Sequence, residues 1–406
     1  MATIIVIGGS LGGLLVANML SRVGHKVTVL EKATTSLDGR GAGIVTHPLL
    51  VAAMERCGVS MDVSLGVAVS ERVVLGKDGA ALHRATVPQV LSSWSRLYAL
   101  LLAAVDGQHY LRGASVSQIR QHAKGAEVLC EDGRTFEADL VIASDGIRSV
   151  VRAQFAPDVQ PEYAGYVAWR GVCDESVLSQ RTLDTLFDNF AFSVPPGQLI
   201  IGYPVAGMAN SIARGQRRYN FVWYRPTLEG APLKALLTDA NGNHYPQGIP
   251  PNRVAPQQVA SMRQAANELL APQFAEVLEK TAQPFLQPIY DCSSRVIAFG
   301  RVALMGDAAF VARPHVGMGV TKAAEDAMAL TDLITLHGAT AQALQAFERE
   351  RLAPARAVVQ RARVLGDYMQ AQGRWGAGNV ARTMMLETAI DLSATPLEKI
   401  IEFEQA

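Results

Sequence analysis

Only four cysteines occur in 406 residues, Cys57, Cys130, Cys173 and Cys292, and none forms a CxxC pair. So sparse a set argues against a zinc site or a dithiol redox centre, and no metal is expected. Reduced thiols in a cytoplasmic protein are the default. Net charge is lacking as well. Lys plus Arg and Asp plus Glu both number 37, so no global field draws nucleic acid or an anionic membrane. No stretch approaches about eighteen uninterrupted apolar residues, the length a membrane-spanning helix needs. The N-terminus has no basic leader, and its first apolar run is already used as a strand, so neither export nor insertion is expected. With 49% hydrophobic residues, the chain has material for two or three domains, and any partner must be sought in local sites.

The most informative stretch runs from Thr3 to Lys32, where the apolar run Ile4 to Ile7 meets Gly8-Gly9-Ser10-Leu11-Gly12-Gly13 and an amphipathic segment leads to a second apolar run ending at Glu31. This is a βαβ pattern. Glycines let the backbone turn sharply and approach a pyrophosphate at the helix N-terminus, and an acid at the end of the second strand bonds a ribose hydroxyl. Glu31 follows Gly13 by 18 residues, as a dinucleotide fingerprint requires. Ser10 takes the middle glycine position, where its hydroxyl donates to a phosphate oxygen or its Cβ holds the ligand slightly away. The alternative reading is a tight turn in a nucleotide-free domain.

Beyond Glu31, Gly39, Gly41 and Gly43 flank Arg40 and let the backbone pass close to a ligand. A helix is expected over 48–57 with Gly58 closing it, and His47 at its entry is either a satisfied structural residue or a pocket lining. Residues 66–90 alternate weakly around the turn Lys77-Asp78-Gly79 and read as a peripheral sheet. Arg96 opens the helical run 96–105, where the helix dipole disfavours a cation; a nearby anion explains it, and a solvated side chain is the alternative. Strands are expected over 115–121, 126–130 and 135–143. The last runs into Asp145-Gly146 and a helix bearing Ser149 and Arg152, an arrangement found where ligands bind in open parallel sheets and also in simple capping.

Residues 163–291 turn to aromatic, strand-like segments, which suggest an inserted antiparallel sheet. In RRYNFVWY, period-two alternation places Tyr219, Phe221 and Trp223 on one face and Asn220, Val222 and Tyr224 on the other. Segment 226–282 reads as helices and loops without evident chemistry. A second apolar strand then meets Gly306-Asp307, and Arg313-Pro314-His315 with Gly317, Gly319 and Val320 leads into another helix, a second dinucleotide-contact pattern. His315 lies in a loop beside a proline, a place for function more than for core packing. A helix over 342–363 carries Arg349, Arg351, Arg356, Arg361 and Arg363, read with Glu348 and Glu350 as a solvated face. The tail beyond Gln372, with Trp375, and an amphipathic segment at 386–403 are candidates to cover a pocket mouth or a partner subunit.

GGSLGG with Glu31, SDGIRSVVR and MGDAAFVARPHVGMGV, in this order, resemble the single-component FAD-dependent aromatic hydroxylases of the para-hydroxybenzoate hydroxylase type, and the likeness spans nearly the whole chain. Within the family, YAGYVAWRGV, Pro314-His315 and RRYNFVWY look most like the 2,6-dihydroxypyridine 3-hydroxylase branch. The urate-hydroxylase branch is nearby, but it carries a tyrosine and an aspartate where this chain has Asn220 and His315. The resemblance implies an α/β fold: a Rossmann-like FAD-binding domain (1–70, 96–160 and 291–340), an inserted antiparallel-sheet substrate domain (71–95 and 161–290), and a C-terminal helical region (341–406).

It further implies that Gly8, Ser10, Leu11, Gly13, Glu31 and Lys32 hold the AMP half of FAD, and Arg40 and Arg96 the ribityl and phosphate region. Asp307 would hold the ribityl hydroxyls, with Gly317, Gly319 and Val320 beside the flavin and Asp145 and Gly146 near FAD and a passing nicotinamide nucleotide. Thr321 departs from the asparagine usual at one flavin contact. No second GxGxxG follows a strand, so NADH or NADPH is expected as a transient visitor. The implied reaction is hydride reduction of FAD, capture of O₂ as a flavin C4a-hydroperoxide, and hydroxylation of an electron-rich aromatic or N-heteroaromatic ring, hydroxypyridine-like or methylated-purine and urate-like. His315 is the leading base or hydrogen-bond partner, with a pKa expected near neutrality. Asn220 and Tyr203 are placed beside it, and His47, Tyr224 and Pro314 are placed against the ring. The alternatives are a flavin reductase or halogenase, although the WxWxIP signature is absent, and a non-catalytic flavin-binding protein. Monomer and homodimer both stay open.

Overall fold

The computed structural model describes residues 1–37, 43–60, 65–370, 380–393 and 395–396. The first apolar run forms β1 (Thr3–Ile7), the glycine turn opens α1 (Leu11–Arg22), and β2 (Lys26–Glu31) returns parallel to β1. Next come β3 (Gly43–Thr46), α2 (Pro48–Arg56), β4 (Val67–Leu75), β5 (Ala81–Ser93), α3 (Trp94–Ala103) and β6 (Tyr110–Arg112). Strands β7 (Val116–His122), β8 (Gly125–Cys130) and β9 (Thr135–Ala138) make a small antiparallel sheet, and β10 (Leu140–Ala143) leads to α4 (Val150–Phe155). The inserted region supplies β11 (Glu162–Asp174), α5 (Gln180–Leu186), β12 (Asn189–Ser193), β13 (Leu199–Val205), β14 (Arg218–Pro226), α6 (Ala231–Leu236), α7 (Pro256–Leu269), α8 (Pro272–Lys280) and β15 (Phe285–Ser293). The chain closes with β16 (Ala298–Phe299), β17 (Val302–Leu304), β18 (Phe310–Val311), α9 (Gly319–His337), α10 (Ala341–Gly366) and α11 (Val380–Glu387).

Helix starts follow local capping chemistry: Ser93, Ser149, Ser179 and Thr340 each accept a backbone N–H from the first turn of α3, α4, α5 and α10. Two large sheets result. The first has the order β16-β17-β10-β1-β2-β6 and is parallel apart from the β16 edge. The second has nine strands in the order β18-β15-β11-β14-β13-β12-β4-β5-β3. All its pairs are antiparallel except β12 with β4. The alternation read in RRYNFVWY holds. Tyr219, Phe221 and Trp223 enter a core with α7 and α8, while Val222 and Tyr224 enter another with Tyr166, Phe190, Phe192 and Met385.

Four expectations need correction. Residues 135–143 form two strands in different sheets, broken at Asp139, whose N–H donates to the Thr3 carbonyl and whose carboxylate accepts from the Thr3 N–H, both at 2.8 Å. Residues 66–90 are no peripheral sheet. β4 is buried from Arg72 to Leu75 and pairs within the nine-stranded sheet, and Arg72 caps the end of α11 by donating to the carbonyls of Met385, Thr388 and Ala389 at 2.6, 2.7 and 3.0 Å.

The arginines of α10 are not one solvated face: Arg349 and Arg356 are exposed, whereas Arg351 and Arg361 are buried and Arg363 is half-buried. Arg351 pairs with Glu325 and Asp326, Arg361 with Glu387, and Arg363 with Asp291, while Arg356 donates to the Ser294 carbonyl. Glu348 accepts the Ile297 and Ala298 N–H groups. Charge on α10 therefore joins it to its neighbours, because the helix is packed on several sides and its long side chains reach carbonyls and acids across the interfaces. Of the amphipathic segment expected at 386–403, only Leu386 and Glu387 are helical, as the end of α11, and 388–393 and 395–396 are not; Trp375, residue 394 and residues 397–406 lie outside the described residues. All four cysteines are free and buried. No helix among the described residues is long and apolar enough to cross a membrane.

Candidate active site

Where the two large sheets meet, three separated pieces of chain converge. Gly8, at φ +99°, turns the chain so tightly over the β10 end that an added Cβ would lie 2.3 Å from the Ser144 carbonyl oxygen. A Cβ at Gly13 would lie 1.9 Å from the Gly8 oxygen, so both glycines are demanded by close backbone approach. The third piece is tied on by Arg152 and Asp326. Arg152 donates to the carbonyls of Ile147 and Ala308 and so stitches the Asp145 loop to the Asp307 loop. Asp326 accepts the Gly306 N–H at 3.0 Å while holding the Arg351 Nε at 2.9 Å.

The cavity between these pieces measures about 310 Å³. One side is made of Ser10, Leu11, Gly12, Ser144, Gly146, Gly306, Asp307, Gly317, Gly319 and Val320, and the other presents Arg170, Ile201, Tyr203, Val222, Tyr224 and Pro314. Asp307 is exposed, and it lines this cavity at the start of the β17-to-β18 connection. Desolvation by its surroundings raises its pKa, against the opposing charge of Lys322.

Other expected site residues act at one remove. Glu31 is buried, and its two oxygens accept the Gly9 and Ala33 N–H groups at 2.8 Å each, so it clamps the glycine turn to β2. Lys32 is exposed. Arg96 lies in the first turn of α3, whose Trp94 lines the cavity, without an acidic partner among the described residues. Arg40 lies outside them. Asp145 caps α4 by accepting the Val150 N–H at 2.8 Å, while its other oxygen is buried without a partner; burial raises this carboxyl against that bonding.

Asn220 accepts the Gly43 N–H at 3.1 Å and fixes the start of β3, leaving its amide nitrogen buried and unbonded. His47 is buried, and its Nδ1 meets the Thr321 hydroxyl at 2.8 Å. The threonine that replaces the family asparagine is therefore engaged with His47, which faces a second cavity beside Asp391.

His315 requires a correction. Its ring is 0% exposed, with centroids 5.5 Å from Tyr224 and 6.4 Å from Tyr166. Nε2 lies 2.9 Å from the Ala362 carbonyl, which can only accept, so Nε2 carries the proton and Nδ1 is a bare, unpartnered acceptor. Burial lowers its pKa to about 3, with the Ala362 bond opposing and Arg313 adding to the fall. Burial thus holds the ring well below the near-neutral value expected of it, because sequence position beside a proline gave no measure of how completely Tyr166, Tyr224 and α10 enclose the ring.

Sequence reasoning also missed Arg170 and Asp326, and read Arg351, the partner of Asp326, as solvated. Arg170 had a signal: alternation along β11 puts Tyr166, Ala168 and Arg170 on one face, and register places Arg170 beside Val222 and Ile201 on the cavity wall.

The residues present fit FAD. The glycine turn admits no side chain at Gly8 or Gly13, Asp145 keeps an orphaned buried oxygen, and Asp307 is exposed on the cavity. Comparison with known proteins agrees. The FAD binding domain family matches residues 1–223 and 250–362, and an FAD binding domain-like family matches 163–291. The chain is 30% identical to the 2,6-dihydroxypyridine 3-monooxygenase of Paenarthrobacter nicotinovorans over 93% of this chain and 94% of that one. It is 25% identical to the 3-hydroxybenzoate 6-hydroxylase of Polaromonas naphthalenivorans over 91% and 88%. The structure of 2,6-dihydroxypyridine-3-hydroxylase from Arthrobacter nicotinovorans superposes with a TM-score of 0.86 at 30% identity, covering 94% of this chain and 95% of that one. Klebsiella pneumoniae HpxO in complex with FAD and uric acid shares the fold at a TM-score of 0.79 and 22% identity, over 98% and 96%. The chain belongs to the FAD-binding-domain family of FAD-dependent aromatic hydroxylases, of the para-hydroxybenzoate hydroxylase type.

Proposed function

We propose that the protein hydroxylates an electron-rich N-heteroaromatic ring, hydroxypyridine-like or methylated-purine and urate-like, with NADH or NADPH as reductant and O₂ as oxygen source. The observation that carries this reading is the two-sided cavity: glycine and acid motifs on one side, and on the other a sheet wall of Ile201 and Val222 edged by Arg170, Tyr203 and Tyr224. FAD, when bound, supplies electron acceptance from the nicotinamide and activation of oxygen.

In this reading Ser10, Leu11, Gly146, Asp307, Gly317, Gly319 and Val320 touch the cofactor. Gly8, Gly13, Glu31 and Asp145 shape the loops that do so. Ile201, Val222 and Ala312 keep water from the reacting edge. Tyr203 and Tyr224 orient the ring by donating hydrogen bonds, Pro314 backs it, and His315 and Asn220 hold Tyr224 and β3 in place. Residues 1–70, 96–160 and 291–340 serve the cofactor, 71–95 and 161–290 the ring, and 341–406 form the C-terminal helical region.

The test is to purify the protein, record its visible spectrum, and follow NADH and NADPH oxidation and oxygen uptake with 2,6-dihydroxypyridine, a methylated purine and 3-hydroxybenzoate. Ring-stimulated oxygen uptake with one hydroxyl gained by the N-heterocycle is the expected result. A yellow protein whose NAD(P)H oxidation no ring accelerates would leave only flavin binding.

A further inference from the structure

The second glycine of the turn is set by a residue far outside the glycine motif. Gly8 takes a left-handed φ, but Gly9 does not, and a dinucleotide fingerprint leaves its position open to any residue. Tyr110 of β6 is what excludes a side chain there. An added Cβ at Gly9 would lie 2.3 Å from the Tyr110 hydroxyl oxygen and 2.6 Å from Cζ. Strand register brings the tyrosine to this place: β6 pairs with β2, Tyr110 beside Val29 and Arg112 beside Glu31.

The hydroxyl completes a clamp on one stretch of backbone. It donates to the Gly9 carbonyl at 2.9 Å, while the Gly9 N–H donates to Glu31 at 2.8 Å. A carbonyl only accepts, so the Tyr110 proton is committed to Gly9. The 3.3 Å contact with the Tyr98 hydroxyl therefore has Tyr98 as donor and Tyr110 as acceptor. Burial, and then the bond to Tyr98, push the Tyr110 phenol above its ordinary value, so it keeps its proton at any working pH. Tyr98 stacks in turn on Trp94, with ring centroids 4.8 Å apart, and Trp94 lines the cavity.

A trans peptide is planar, and its N–H points opposite to its C=O. With the Gly9 carbonyl fixed on Tyr110, the Ser10 N–H of the same peptide points away from that tyrosine, and Ser10 lines the cavity. A hydrogen bond at the carbonyl also polarises the peptide and strengthens its N–H as a donor. Glycine offers little steric resistance to rotation of this peptide, so the orientation depends on a tether.

We propose that Tyr110 is a positioning residue for the cofactor's pyrophosphate: through the Gly9 carbonyl, and without touching FAD, it aims the Ser10 N–H at a phosphate oxygen. The proposal rests on FAD binding at the glycine turn, and it makes that turn dependent on a tyrosine 101 residues away.

The experiment compares three ligands on the full-length protein freed of flavin by dialysis: FAD; ADP, which carries the pyrophosphate without a flavin; and riboflavin, which carries the flavin without phosphate. FAD and riboflavin are titrated through the change in flavin fluorescence, and ADP through its displacement of FAD. Tyr110→Phe should weaken FAD and ADP by roughly tenfold, the worth of a hydrogen bond to a charged group, and leave riboflavin unchanged. Gly9→Ala, whose Cβ displaces the hydroxyl, should show the same phosphate-specific loss and keeps the proposal testable should the other variant fail to fold. Tyr98→Phe, which leaves the Gly9 bond in place, should hold FAD within about threefold of the unaltered protein. FAD and ADP bound as tightly by Tyr110→Phe as by the unaltered protein would overturn the proposal. So would equal losses for all three ligands, the mark of a merely structural role. An unaltered protein that binds riboflavin but neither FAD nor ADP would remove the pyrophosphate from the glycine turn, and the role of Tyr110 with it.

Discussion

His315 shows how far a single side chain can differ from its sequence promise. Its folded pKa of about 3 lies below the ordinary 6.5, so the unfolded chain takes up a proton that the native chain refuses. The contribution to stability is complete above pH 6.5 and is lost progressively as pH falls from 6.5 toward 3. His315→Gln should flatten that part of the stability curve, measured as melting temperature against pH, and an unchanged slope would count against the buried neutral ring. At the cofactor wall, Asp307→Ala should lower flavin retention, read as the FAD-to-protein ratio after dialysis; equal retention would remove the carboxylate from that role. Both residue types were visible in the sequence as candidates. The Ala362 carbonyl, 47 positions away, was not, and neither was the pairing of Arg170 with the neutral Gln287 amide, because partners across a fold leave no local pattern.

Among the elements, the βαβ unit and most helix starts were legible because glycine geometry and Ser or Thr caps act within a few residues. The α10 arginines were not, since a helical wheel cannot tell a solvated cation from one facing an acid on a neighbouring helix. Arg351 and Asp326 join α10 to α9 and, through the Gly306 N–H, to the Asp307 loop. Asp326→Ala removes the acceptor of a buried N–H and one of the two carboxylates of Arg351. The expected cost is about 3 to 5 kcal/mol of stability, checked by chemical denaturation. A cost below about 1 kcal/mol, the range of exposed pairs, would contradict a structural role for the pair.

At the scale of the whole molecule, convergence of three distant motifs on one cavity was legible, because each motif has its own strand-to-helix context. The membership of β4 and β5 in the nine-stranded sheet was not, since strand pairing across more than a hundred residues, Val73 with Ala191 for example, is set by the insertion that brings them together. A protein with an open glycine cradle and an orphaned Asp145 oxygen should be stabilised by its cofactor. Adding FAD at about 100 times its dissociation constant to the apoprotein should contribute about 2.7 kcal/mol, seen as a rise in melting temperature, and an equal melting temperature would deny the fit.

The interior placement of every thiol has a practical corollary. Burial pushes Cys57 and Cys173 up to about 12, so at neutral pH neither offers a thiolate to a maleimide until the chain opens. Alkylation monitored by intact mass should therefore proceed at the pace of local or global opening, giving a stopwatch for breathing of both halves, with Cys57 reporting on the α1 side and Cys173 on the β11 side. Rapid modification of the resting protein at either position would mean that half is looser than its packing indicates.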